Sequence, residues 1–166
     1  MKSDRLVNPK SHPWKGLLAG AVGGIVASFA MGQFHALFQN AETSSSQNKE
    51  DSTVKAASAV SRGLFHHELT PQQKKIAGPI VDHAFGTSMA AIYGAVVEWV
   101  PAARAGWGIA FGATVWLGAH VITVPAVGLS QPITQSTSAA EATELGAHLV
   151  YGVVTEGVRR FIRAER

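Results

Sequence analysis

The sequence lacks cysteine altogether, and only 15% of its 166 residues carry a formal charge. Without cysteine the chain has no disulfide, no thiolate nucleophile, no Cys-ligated zinc and no iron–sulfur cluster. The few charges are also unevenly placed, because they crowd into three stretches and leave long apolar gaps between them. Seventeen glycines would suggest loops in a soluble chain, but all except Gly63 lie in the apolar stretches, as is typical of membrane helices.

Four apolar stretches predict an all-α integral membrane protein with a four-transmembrane-helix bundle. The first, residues 16–38, has no formal charge and as a helix would be about 35 Å long at 1.5 Å per residue, enough to cross a bilayer. It is too long for a signal peptide and no A-x-A cleavage site follows, so we expect it to stay as an anchor. The other predicted spans are residues 76–100, 105–129 and 140–162, within a single domain, 1–166.

The fourth stretch is the least apolar, because its glutamates leave only residues 145–155 without a formal charge. An internal repeat nevertheless favours a span there. Residues 93–98, YGAVVE, match residues 151–156, YGVVTE, and each copy follows a glycine-rich stretch. The sequence therefore predicts two duplicated helical hairpins.

A polar segment, residues 39–75, separates the first two spans. Its serine-rich part, residues 41–48, cannot bury enough apolar surface to order itself. Further along, apolar residues recur at near-helical spacing and predict a short amphipathic helix or a marginal helix in a loop: Val54, Ala57, Val60 and Leu64. Thr70-Pro71-Gln72-Gln73 has the residue types of a helix start, so we predict that the second span begins near Lys74.

The basic residues beside the predicted spans lie mostly on one side of the membrane. They are Lys2, Arg5, Lys10 and Lys15 before the first span, Arg104 between the second and third, and Arg159, Arg160, Arg163 and Arg166 at the end. This asymmetry predicts that both termini are cytoplasmic and that the loop 39–75 is outside, with Lys74 and Lys75 as the exception. The basic residues flank apolar runs and form no stripe with aromatic residues, so the expected partner is the lipid bilayer and not nucleic acid.

Small residues suggest how the predicted helices pack. They recur at every fourth position of the first span, at Gly16, Gly20, Gly24, Ser28 and Gly32, and the spacing returns at Gly108 and Gly112 in the third. We predict that these two ridges pack together, at the centre of the bundle or across a dimer. Glu98 and Glu156 end the two copies of the repeat and are expected to neutralise Arg104, Arg159 and Arg160.

Titratable side chains within the predicted spans form the candidate site. His83, His120 and His148 would lie about 10–14 Å below the outer helix ends at 1.5 Å per residue, with Asp82 and Glu144 at or above that level. Such an outer cluster suits a proton relay, a divalent metal or a pair of haem axial ligands. The interpretation that we favour is simpler: each histidine hydrogen-bonds to a neighbouring helix and specifies packing, so no metal or other cofactor is expected.

Several motifs carry a resemblance to a known family. They are His83, the run from Tyr93-Gly94 to Glu98, Val100-Pro101, the Gly106 to Gly112 region, His120, Pro125-x-x-Gly128-Leu129-x-x-Pro132, Gly146-x-His148-Leu149-Val150 and Glu156-x-x-Arg159-Arg160. From Asp82 onward the chain resembles the bacterial inner-membrane family typified by YagU, which is defined by a domain of unknown function. The resemblance implies a fold and an inner-membrane location but no mechanism, and the long first loop departs from it.

Together these observations predict an inner-membrane protein that is not an enzyme, because no nucleophile with a base, phosphate loop or zinc motif is present. We expect a structural or complex-associated role, as a homo-oligomer or beside another membrane protein. The alternative is a small proton- or ion-handling protein that uses the outer cluster of His83, His120, His148, Asp82 and Glu144.

Overall fold

The computed structural model describes residues 12–38, 53–63, 66–123 and 138–164, and within these ranges the chain is helical without any strand. The α-helices are α1 (Pro13–Phe38), α2 (residues 53–63), α3 (Pro71–Trp99), α4 (Ile109–Val115) and α5 (Ser138–Ala164). A 3-10 segment, Pro101–Gly108, joins α3 to α4, and a π-helical segment, Trp116–Thr123, continues α4. The all-α prediction is thus confirmed for this part of the chain, and the predicted serine-rich loop, residues 41–48, lies outside it.

Two of the helices, α1 and α3, are long and apolar enough to cross a membrane. They contain 26 and 29 residues, which correspond to about 39 and 43 Å at 1.5 Å per residue. Helix α5 is comparable in length at 27 residues, but it carries three glutamates and three arginines. The predictions of a third and a fourth span therefore do not follow from the length and composition of the described helices alone.

The start of α3 confirms the predicted capping signal. The backbone N–H of Gln73 donates to Thr70 Oγ1 at 3.3 Å, and the backbone N–H of Thr70 donates to Gln73 Oε1 at 2.8 Å. These two bonds satisfy donors that have no partner within the helix, and Pro71 needs none at the first helical position. The helix begins at Pro71, a few residues earlier than predicted, and ends at Trp99, just before Pro101.

The third predicted span, residues 105–129, is wrong at its beginning. Ala105 is extended, and Gly106, Trp107 and Gly108 have positive φ angles of 69°, 56° and 84°, so the α-helix starts only at Ile109. After one and a half to two turns the hydrogen bonding becomes π-helical at Trp116. The left-handed backbone at Gly106 and Gly108 is one that glycine adopts without steric cost. The connection between α3 and α4, Pro101–Gly108, is therefore longer than the gap left between the predicted spans, and it is sharply bent.

Helix α2 confirms the predicted short helix after the serine-rich part, although its buried face differs in detail. Ala57 is buried as expected, whereas Val60 is exposed and Ser61 is buried in its place. Leu64 lies outside the described residues. The beginning of α2 approaches α3, since a Cβ at Gly78 would lie 3.1 Å from Thr53 Oγ1.

Helix α1 lies between α3 and α5, and α4 packs on α5. Because α1 runs opposite to α3 and α5, one end of the bundle holds the start of α1 and the ends of the other two; we call it the inner end. The buried core is built mainly of small residues and one tyrosine: Ala27, Met31, Ala90, Ala147 and Tyr151. Phe111 of α4 contacts this core and stacks on Tyr93 of α3 with ring centroids 4.1 Å apart.

The glycine ridge of α1 packs against α3, and the prediction that it meets the ridge of the third span is wrong. A Cβ at Gly16 would overlap the carbonyl oxygen of Gly94, and one at Gly20 would overlap that of Ala90. Further along, a Cβ at Gly24 would lie 2.6 Å from the Cβ of Ala90. The two backbones are thus in contact because α3 presents its own small residues, which complement the ridge.

Gly108 and Gly112 meet a different helix, α5. A Cβ at Gly108 would overlap the carbonyl oxygen of Gly152, and one at Gly112 would overlap that of His148. The first pair of helices shows the same arrangement, with Gly16 and Gly20 in the places of Gly108 and Gly112, and Gly94 in the place of Gly152. In each half of the chain, two glycines spaced four residues apart therefore pack against the helix that carries the repeat. These glycines belong to a segment that precedes that helix in the sequence.

Candidate functional site

A network of ion pairs lies at the inner end of the bundle, where two glutamates meet three arginines. We call it the inner network: Glu98, Glu156, Arg159, Arg160 and Arg163. Glu156 is at its centre and is completely buried. Arg159 Nε and Nη2 donate to Glu156 at 2.7 and 2.9 Å, and Arg160 Nε donates to it at 2.6 Å.

Helix geometry explains these contacts, because the two arginines follow Glu156 by three and four residues and therefore share its face of α5. Tyr93 of α3 adds a further donor, with its hydroxyl 3.0 Å from Glu156 Oε2. A buried carboxylate is stabilised only when such partners replace its lost hydration. Glu156 thus ties α3 to α5.

The second carboxylate, Glu98, joins the last turn of α3 to the last turn of α5. Arg163 Nε and Nη2 donate to its two oxygens at 2.8 Å each, which is a bidentate pair. Arg159 Nη1 lies 3.8 Å from Glu98 Oε1 and links the two halves of the network. The backbone N–H of His12, just before α1, donates to Glu98 Oε2 at 3.5 Å. Three chain segments therefore converge on this carboxylate.

The bent link between α3 and α4 completes the inner network from outside. Trp107, in its left-handed backbone conformation, places its ring 4.1 Å from the guanidinium carbon of Arg160, which is a cation–π contact. The predicted pairing of Glu156 with Arg159 and Arg160 is confirmed. The predicted role of Arg104 is wrong within the described residues, where no ion pair joins it to either glutamate, and Arg163 takes that place at Glu98.

Two of the predicted outer histidines bond to their own helices. His83 is exposed on α3, and its Nδ1 lies 2.9 Å from the carbonyl oxygen of Pro79. His148 is buried on α5, and its Nδ1 lies 2.8 Å from the carbonyl oxygen of Glu144. In both cases the partner is the backbone four residues earlier, so this bond orients the ring without joining two helices. The backbone of His120 lies in the π-helical segment, and its side chain is outside the described part of the chain.

The outer carboxylates occupy different environments. Asp82 is half-buried on α3, whereas Glu144 is buried on α5. One oxygen of Glu144 lies 3.8 Å from His35 Nε2 of α1. His35 was not among the predicted site residues, since it is separated from Glu144 by three other α-helices in the sequence. Among the residues that the structure describes, no three His, Asp or Glu side chains are grouped so that they could hold a metal ion.

The two polar regions differ in what they can do chemically. In the inner network the donors and acceptors are matched at short distances, which holds the ends of α3 and α5 together. The outer pair, His35 and Glu144, combines an imidazole with a buried carboxylate at longer range. The inner network therefore joins helices through several short ion pairs, whereas the outer pair is a single longer contact between α1 and α5.

Comparison with known families gives one result. The model of the family described as "Protein of unknown function (DUF1440)" matches residues 57–157, more than half of the chain. The chain belongs to the DUF1440 family. No curated protein and no solved structure matches it.

The region shared with DUF1440 extends from α2 into the second half of α5. It includes Glu98, Glu156 and both tyrosines of the repeat, but it ends before the arginines of the inner network. Helix α1, with its glycine ridge, also lies before it. In this DUF1440 protein the carboxylates of the network are thus inside the matched region, and their cationic partners are outside.

Proposed function

We propose that this DUF1440 protein is an integral protein of the bacterial inner membrane, with four spans arranged as two duplicated hairpins and both termini in the cytoplasm. Its role in this proposal is structural or complex-associated, as a homo-oligomer or with another membrane protein, and it is not an enzyme. The observation that carries the proposal is the exposure of large apolar side chains along both helices that are long enough to cross a membrane.

Most of the surface of these two helices is not covered by the rest of the protein. Only 39% of the most apolar stretch of α1 and 28% of that of α3 is buried. The exposed side chains on α1 are Trp14, Leu17, Leu18, Val22, Ile25, Val26, Phe29, Leu37 and Phe38; those on α3 are Ile76, Ile80, Phe85, Ile92, Val96 and Trp99. A contiguous apolar surface of this extent is unfavourable in water and is favourable against lipid.

The duplicated hairpins are supported by the equivalent glycine contacts of α1 with α3 and of the α4 region with α5. The two tyrosines of the repeat connect the two halves of the chain. The Tyr93 hydroxyl donates from the first half of the chain to Glu156 in the second, and the Tyr151 hydroxyl donates from the second half to the carbonyl oxygen of Gly86 in the first. The two tyrosines therefore each bond to the other half of the chain, at positions that are not equivalent within the repeat.

The location rests on the resemblance to the YagU-type inner-membrane family, and the orientation rests on the basic residues. Lys15, Arg104 and the arginines of α5 all belong to the inner end. Exposed Trp14, Trp99 and Trp107 lie at the same end, as expected for residues at a membrane interface. If the inner end is in the cytoplasm, it accounts for the position of the basic residues and for that of the tryptophans.

Because the chain has no cysteine, single introduced cysteines can map its topology without background. In intact cells we expect a membrane-impermeant maleimide to label Ser45→Cys in the loop 39–75. We expect Ser3→Cys and Ala102→Cys to react only after permeabilisation, with all three proteins remaining in the membrane after an alkaline wash. Labelling of Ser3→Cys in intact cells would reverse the orientation, and recovery of the chain in the soluble fraction would disprove the membrane proposal.

The second candidate function, proton or ion handling, is favoured by one contact, between His35 and the buried Glu144. A pathway through this pair would need the Glu144 carboxylate to take up and release a proton. In proteoliposomes containing a pH-sensitive dye, we expect Glu144→Gln to lower such a flux at least about tenfold, as is typical when a proton-transfer group is removed. Glu141→Gln, one turn earlier on α5 and only half-buried, is the matched control. Wild-type flux equal to that of empty vesicles would eliminate this function.

A further inference from the structure

A groove lies between the start of α1 and the end of α5, outside the inner network. Its volume is about 170 Å³, and it is lined by Trp14, Lys15, Leu18, Ala19, Val22, Ile162 and Arg163. We call it the α1–α5 groove. Neither the sequence motifs nor the family assigns a role to it.

The groove is apolar along most of its length. Leu18 and Val22 follow one another by one turn on α1 and are 54% and 47% exposed, with Ala19 buried beside them. Ile162 of α5 lines the groove as well. Exposed Val26 continues the apolar surface of α1 by one further turn. A hydrocarbon chain lying along this path would cover side chains that the protein itself leaves uncovered.

The polar end of the groove is positively charged. Lys15 lies there with its ammonium 5.6 Å from the centroid of the Trp14 ring, and Arg163 lies on the α5 side. The guanidinium of Arg163 is held in place by its bidentate pair with Glu98, in which Nη1 takes no part. Lys15 and the inner network together contain four basic and two acidic side chains, which leaves a surplus of two positive charges beside the groove.

We propose that the α1–α5 groove binds an anionic phospholipid, with the phosphate at Lys15 and Arg163 and one acyl chain along Leu18 and Val22. This inference rests on the proposed membrane location. Basic residues beside an apolar path between membrane helices have the chemistry that anionic headgroups require. The residues that precede α1 would not neutralise the groove, because Lys2, Arg5 and Lys10 outnumber the one acidic residue there, Asp4.

The test uses the full chain purified in a neutral detergent and titrated with phosphatidylglycerol or with phosphatidylcholine of the same acyl chains, with bound lipid counted by native mass spectrometry. We expect the wild type to prefer phosphatidylglycerol and Lys15→Gln to lose about fivefold in affinity for it, the effect of one basic residue at a membrane surface. Lys15→Arg should keep the preference. Arg104→Gln is the matched control, because it removes an exposed charge at the same end but outside the groove.

Three results would overturn the proposal. Equal affinity for the two lipids would show that no anionic site exists, even if the cysteine mapping places the chain in the membrane. An equal loss in Arg104→Gln and Lys15→Gln would show a general attraction of the basic end for anions. Displacement of the lipid by millimolar inorganic phosphate would show that the groove binds a free anion and does not use the acyl chain.

Discussion

Glu156→Gln is expected to destabilise the helix bundle by about 3–5 kcal/mol, the usual effect of removing one partner from a buried ion pair. The substitution keeps the shape of the side chain but leaves Arg159, which is only 3% exposed, without its main counter-charge. It also weakens the bond from Tyr93, which connects α3 to α5. The measurement is the free energy of unfolding of the purified protein, from a titration with sodium dodecyl sulfate followed by circular dichroism.

Two further variants separate the buried charge from a general loss of contacts. Arg160→Gln removes a partner whose side chain is 35% exposed, and it should cost less than Glu156→Gln because Arg159 still neutralises the buried carboxylate. Replacing both members of the buried pair, in Glu156→Gln with Arg159→Met, should recover much of the stability, since no buried arginine then lacks its carboxylate. If the unfolding free energy of Glu156→Gln lies within about 1 kcal/mol of the wild-type value, the buried ion pair of Glu156 is not a main contribution to stability.

Gly152→Ala should destabilise the protein by about 3 kcal/mol, at the upper end of the usual range for overpacking. The new methyl group would overlap the carbonyl oxygen of Gly108 and lie 2.8 Å from the backbone nitrogen of Gly112. Since these are backbone atoms, neither can move aside by a side-chain rotation, and α4 would have to separate from α5. Gly94→Ala should behave in the same way at the contact of α3 with Gly16.

Gly157→Ala is the matched control on the same helix. A Cβ at Gly157 would have no neighbouring atom within 4 Å, so the substitution should stabilise α5 by about 0.5–1 kcal/mol through the lower entropy of the unfolded chain. Thermal unfolding of all three variants in one detergent, followed by size-exclusion chromatography, compares them directly. If Gly152→Ala and Gly157→Ala unfold at the same temperature, the close packing of α4 on α5 is wrong.

The helices were predicted well where their signals are local. The charge-free run that forms α1 and the Thr70 to Gln73 capping signal of α3 are each readable within a few residues. The beginning of the third span was placed too early because Gly106 and Gly108 resemble helical packing glycines in the sequence, whereas both have the left-handed backbone of a bend. Gly108 also packs closely, but on Gly152, which lies 44 residues away along the chain, so no local pattern shows this contact.

The polar contacts also divide into those that short-range spacing predicts and those that join residues far apart in the sequence. Glu156 pairs with arginines three and four residues later, and helical spacing alone predicts that. Glu98 pairs with Arg163 across 65 residues, and His35 meets Glu144 across an even longer separation. No short-range pattern specifies either contact. The first depends on how the ends of α3 and α5 meet and the second on how α1 packs on α5, and both are known only from the structure.

The reciprocal contacts of Tyr93 and Tyr151 mean that each half of the chain supplies a side chain that the other half uses. Two separate half-chains could make these contacts only by forming a dimer, at a strength set by their concentration. The segment Pro101–Gly108 joins the halves covalently, and a short connection of this kind maintains an effective concentration of about the millimolar range. The association of the two halves is therefore insensitive to dilution, however few copies of the protein a cell makes.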